Sequence, residues 1–148
     1  MKTRALVMAA MMALTAIATT RVAQAQEQRV AVNIPFDFVV GNMQLPAGEY
    51  VVSASAETRG LILISAKAST TSVFVNTYPT TANAPQTESK LVFNRYGDRY
   101  FLSQVWREGA SQGREITKSA REKEVAQSAA LETEGQVTLV AGLATTTR

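Results

Sequence analysis

Leu91-Val92-Phe93-Asn94-Arg95-Tyr96-Gly97-Asp98-Arg99-Tyr100-Phe101-Leu102-Ser103-Gln104-Val105-Trp106 is the stretch that decides the fold class. Two runs rich in aromatic and aliphatic residues flank Gly97-Asp98. A Gly-X pair in that setting suits a two-residue type II′ turn, because glycine takes the positive φ of the first turn position without steric cost. That turn predicts an antiparallel hairpin with Arg95 opposite Tyr100, Phe93 opposite Leu102 and Leu91 opposite Gln104. One face then gathers Leu91, Phe93, Leu102 and Trp106 as core.

Upstream, Val30, Val32, Ile34, Phe36, Phe38 and Val40 alternate with mostly polar or small residues, the period of a half-buried strand. Pro35 lies within this run and cannot donate to a ladder, so an edge position or a bulge dividing the run into two strands is expected. Turns are predicted at Gly41-Asn42, at Leu45-Pro46-Ala47-Gly48 and at Glu57-Thr58-Arg59-Gly60. Strands are predicted from Glu49 to Ala56, from Leu61 to Ile64 with cover on both faces, from Thr71 to Tyr78, and from Gln136 to Ala141. Pro79 to Thr87 reads as an exposed loop, and Glu108 to Gly113 as another. Ser119-Ala120-Arg121-Glu122 has capping-box spacing and opens a helix over about 119–130, with Val125 and Ala129 as a thin apolar stripe resting on the sheet. The sum is an all-β, mainly antiparallel domain of six to eight short strands, a sandwich or small filled barrel, with one helix towards the C-terminus.

The N-terminus carries a different signal. Lys2 and Arg4 precede an uncharged run from Ala5 to Ala18, and Val22-Ala23-Gln24-Ala25 follows Arg21. A positive start, a short apolar run and an A-x-A site are the marks of a secretory signal peptide. Residues 1–25 are therefore expected to be removed and 26–148 to form a single domain, periplasmic or secreted, with no membrane span after processing. Losing Lys2, Arg4 and Arg21 leaves twelve of the fifteen basic residues against twelve acidic ones. A neutral remainder does not favour nucleic acid as a partner.

The chain has no histidine and no cysteine. That removes Ser-His-Asp and Cys-His catalysis, zinc and blue-copper sites, and disulfides. No calcium loop or phosphate-binding glycine loop is present either, so no cofactor or metal is expected. Asp37, Glu49, Asp98 and Glu108 are the scattered carboxylates on which an enzyme would have to rely, and each has a plainer role: Asp37 on the outward face of its strand, Glu49 at a strand start, Asp98 in a turn and Glu108 in a loop. Residues 90–123 hold eight basic against four acidic side chains. Within them Arg95, Arg99 and Tyr100, interleaved with Tyr96, form the candidate contacts for a partner or an anion. The competing reading is an Arg95–Tyr100 cross-strand pair that only covers the sheet.

The blocks Ile34-Pro35-Phe36-Asp37-Phe38-Val39-Val40-Gly41, Leu45-Pro46-Ala47-Gly48-Glu49-Tyr50 and Leu91 through Leu102 resemble those of a group of small uncharacterised exported bacterial β-rich proteins. The resemblance implies a shared fold and export and transfers no activity. The function expected is interaction with an envelope protein or surface polymer. A small-ligand carrier with a pocket in the β-domain is the alternative, and a carboxylate-based enzyme the third reading.

Overall fold

The computed structural model describes residues 29–55, 58–129 and 134–141; the expected signal peptide lies outside them. Among these residues ten strands and one helix follow in order: β1 (Arg29–Ile34), β2 (Phe38–Val40), β3 (Met43–Leu45), β4 (Gly48–Ala54), β5 (Leu61–Ala66), β6 (Ser72–Thr81), β7 (Lys90–Tyr96), β8 (Arg99–Trp106), β9 (Gln112–Ile116), α1 (Ala120–Ala129) and β10 (Glu134–Val140). The protein is all-β with one helix near the C-terminus. The strands make one open mixed sheet, in which β1-β4-β5-β6-β9-β8 is the main path, β2-β3 continues from β8, and β7-β10 branches from β8. Every pair is antiparallel except β2 with β8.

Ten strands exceed the expected six to eight because β3 and β9 give almost no alternation to read. β3 is three residues long, and β9 carries one large apolar side chain, Ile116. The Glu108–Gly113 loop is accordingly shorter than expected, since β9 begins at Gln112. Pro35 does divide its run, with β1 ending at Ile34 and β2 starting at Phe38. Leu61 and Leu63 are only half-buried while Ile62 and Ile64 are buried, so β5 is covered fully on one face alone.

One core fills the concave side of the sheet. Val30, Val32 and Ile34 of β1, Tyr50 and Val52 of β4, and Ile62 and Ile64 of β5 meet Leu91 and Phe93 of β7 and Leu102 and Val105 of β8. Phe38 stands edge-on to both Tyr50 and Phe93, at 5.1 and 5.6 Å between centroids. Such pairs add about 0.5–1.5 kcal/mol each beyond area burial.

The hairpin forms as expected at its tip. Gly97 has φ 58°, no non-glycine residue has positive φ among those described, and Arg95 faces Tyr100 and Phe93 faces Leu102. Further along, a β-bulge intervenes: Val92 faces Gln104 and Leu91 faces Val105, leaving Ser103 as the extra residue. Leu91 is therefore not opposite Gln104. A one-residue slip exchanges the faces of a strand, so Val105 enters the core and Trp106 turns to the convex side. There it is still only 7% exposed, because its ring lies over Gly113 of β9. A Cβ on Gly113 would come within 2.6 Å of the indole Cε3. The indole N–H donates to Gln104 Oε1 at 3.0 Å.

The Tyr50 hydroxyl donates to the Pro46 carbonyl at 2.7 Å. Burial raises its pKa above the ordinary tyrosine value, and the Asp37 carboxylate adds to the rise. Folding thus favours the neutral phenol. Its contribution is complete below the unfolded pKa of about 10 and is lost as pH climbs through the higher folded value. Denaturation midpoints should fall above pH 10 more steeply in the wild type than in Tyr50→Phe; equal slopes would remove Tyr50 as a cause.

Candidate functional site

One edge of β6 carries a stretch of open backbone in the interior of the strand order. This strand pairs with β5 over Ser72–Asn76 and with β9 over Thr77–Thr81. Thr77 N–H donates to the Gly60 carbonyl at 2.6 Å and the Thr71 carbonyl accepts from Ala66 N–H at 2.9 Å, so odd-numbered residues direct their main-chain groups towards β5. On the other edge Ala82 N–H donates to the Ser111 carbonyl at 2.8 Å, which places the even-numbered groups towards β9. Because β9 ends at Ile116, opposite Thr77, the N–H and C=O of Ser72 and Phe74 face an edge with no strand partner among the described residues. The same alternation explains why Pro79 lies within β6 instead of the expected loop. Its missing N–H would point away from β9, beyond the end of the β5 pairing.

A groove of about 650 Å³ runs along this edge, between Val73–Asn76 on one wall and Val40 of β2, Asn42, and Met43 of β3 on the other. Phe74 and Tyr78, two positions of like parity on the convex face, are each 63% exposed, and Met43 is 47% exposed. An open edge beside exposed aromatic and thioether side chains can take an extended peptide: main-chain bonds hold it and the side chains select it. Phe74 and Tyr78 belong to a strand legible in the sequence, but nothing local shows that β9 stops short of Ser72 and Phe74.

The hairpin-tip residues do not converge. Arg95 and Tyr100 share the concave face, where the guanidinium carbon sits 5.7 Å from the ring centroid and Nε donates to the Gly97 carbonyl at 2.8 Å. Tyr100 in turn stacks on Phe36 at 3.9 Å. Arg99 lies opposite Tyr96 on the convex face and is exposed. The carboxylates also stand apart. Asp37 Oδ1 accepts from Ala47 N–H at 2.9 Å in the β1–β2 link, and Glu49 pairs with Lys67 at 3.0 Å with both side chains more than half exposed. Asp98 occupies the hairpin turn and Glu108 the loop after β8. No cluster of three or more metal-ligating side chains occurs among the described residues.

A buried carboxylate escapes the sequence reading. Glu122 is 5% exposed, and its Oε1 accepts from Asn94 Nδ2 at 2.9 Å and from the Tyr96 hydroxyl at 3.4 Å. Lys118 Nζ donates to the Tyr96 hydroxyl at 2.9 Å. Ser119 caps α1, its Oγ accepting from Glu122 N–H at 3.1 Å. The capping-box spacing therefore forms one of its two bonds, while the Glu122 side chain turns to the sheet. Val125, Ala126 and Ala129 complete the contact on Val39, Tyr96 and Phe101, as the thin apolar stripe predicts. The arrangement pins α1 to the outside of the hairpin.

No protein family, curated protein or solved structure matches this chain.

Proposed function

We propose that this is an exported, non-enzymatic β-domain that acts by interaction, binding an envelope or extracellular protein by taking an extended segment of it as an added strand along β6. The observation that carries the reading is the open backbone of Ser72 and Phe74 beside the exposed Phe74, Tyr78 and Met43 side chains. Natural sheets normally blunt such an edge with charge, proline or cover, whereas this one is apolar and aromatic. Export is supported by the charged start, the uncharged run and the A-x-A site of residues 1–25.

The test immobilises the domain beginning at Gln26, passes envelope extract and culture medium of the source cell over it, and identifies what is retained. Ser72→Pro removes a main-chain donor from the open edge at the first residue of the strand, where proline is tolerated, and Phe74→Lys places a charge in the groove. Both should keep the circular dichroism spectrum and melting point of the wild type while reducing retention of the identified protein about tenfold or more. Retention that both variants leave unchanged would overturn strand addition. Retention of a polysaccharide instead of a protein would do the same.

A further inference from the structure

Alternation along β9 directs Ile116, Arg114 and Gln112 to the concave side, and only Ile116 is apolar. Arg114 faces Val105 on one neighbour and Pro79 on the other. At this level the interior is not filled: a cavity of about 180 Å³ opens at the end of the sheet, floored by Val30, Val52, Ile62 and Val105 and rimmed by Arg107 and Arg114. The floor is apolar core, with those four residues at most 6% exposed. Among the described residues neither guanidinium has a hydrogen-bond or ion-pair partner. Two unpaired guanidinium groups over an apolar floor call for an anion that also carries a hydrocarbon body, since an arginine fork matches a carboxylate with two parallel bonds.

We infer that this end cavity binds a small amphipathic carboxylate, its hydrocarbon body on Val30, Val52, Ile62 and Val105 and its head group between Arg107 and Arg114. A cavity of about 150 Å³ is enough for benzene, so a six-carbon body fits. The site shares no lining residue with the β6 groove and does not depend on the strand-addition reading.

Trp106 provides the readout, because its ring lies against Gly113, which lines the cavity. Titration calorimetry and Trp106 emission should show saturable binding of hexanoate with Kd of about 1 mM or tighter. Acetate, which lacks the body, and 1-hexanol, which lacks the charge, should each bind about tenfold more weakly or not at all. Arg114→Gln and, separately, Arg107→Gln should weaken hexanoate about tenfold or more while leaving 1-hexanol unchanged. Whichever of the two variants keeps the native spectrum is sufficient. Equal affinity for hexanoate and 1-hexanol, no binding of hexanoate, or full affinity in the arginine variants would overturn the inference.

Discussion

Trp106→Ala should lower the unfolding free energy by about 3–5 kcal/mol, the usual cost of a large aromatic truncation in a buried site. That is a large share of the ~5–15 kcal/mol that a domain of this kind holds. The indole is 7% exposed and contacts a glycine that leaves no room for a side chain, with a Gly113 Cβ reaching 2.6 Å from the ring. Gly113→Ala should therefore cost about 1–3 kcal/mol by overpacking, although the φ of Gly113 is not positive. The pair should be strongly non-additive. In a Trp106→Ala background the added methyl meets open space, and Gly113→Ala should become neutral or stabilising by about 0.4–1 kcal/mol through the unfolded chain. Urea denaturation of the four proteins closes the cycle, and additive costs would show that Trp106 does not rest on Gly113. The native indole emission should also be blue-shifted and move to the red on unfolding.

Glu122→Ala should cost about 3 kcal/mol, because the truncation leaves Asn94 Nδ2 without its 2.9 Å acceptor and loosens the Tyr96 hydroxyl in a buried setting. Glu122→Gln keeps an acceptor oxygen in the same place and should recover more than half of that loss. The consequence reaches past stability. Since the apolar contact of α1 with Val39, Tyr96 and Phe101 rests on the small set Val125, Ala126 and Ala129, removing the carboxylate should free the helix before the sheet melts. Amide hydrogen exchange would show faster exchange in residues 120–129 while β7 and β8 stay protected. Coupling between Asn94→Ala and Glu122→Ala should lie in the range of about 0.5–3 kcal/mol. Independent effects of the two, or no change in helix protection, would mean that α1 is held by its apolar stripe.

What the sequence by itself determined is local. Gly97-Asp98 sets a turn through backbone geometry alone, Pro35 breaks a ladder by lacking a donor, and Ser119 begins a helix by offering an acceptor two or three residues ahead. Each acts within a few residues of itself, so each is legible without the rest of the chain, as is the Arg95–Tyr100 pair that follows from the turn. The candidate edge is only half legible in this sense: Phe74 and Tyr78 announce a strand but not their exposure. The tertiary structure decided what depends on distant partners. β8 must pair with β7 along one edge and with both β9 and β2 along the other, and the bulge at Ser103 within it exchanges Val105 for Trp106 on the concave face. β9 itself forms from Gln112-Gly113-Arg114-Glu115-Ile116, whose own pattern offers little, because two neighbouring strands supply its hydrogen bonds. Its early end leaves Ser72 and Phe74 open, and its inward Arg114 lies over the end cavity. Glu122 is buried for the same kind of reason: Asn94, twenty-eight residues earlier, supplies the hydrogen bond that offsets its desolvation, and no local pattern records where a partner at that distance will come to rest.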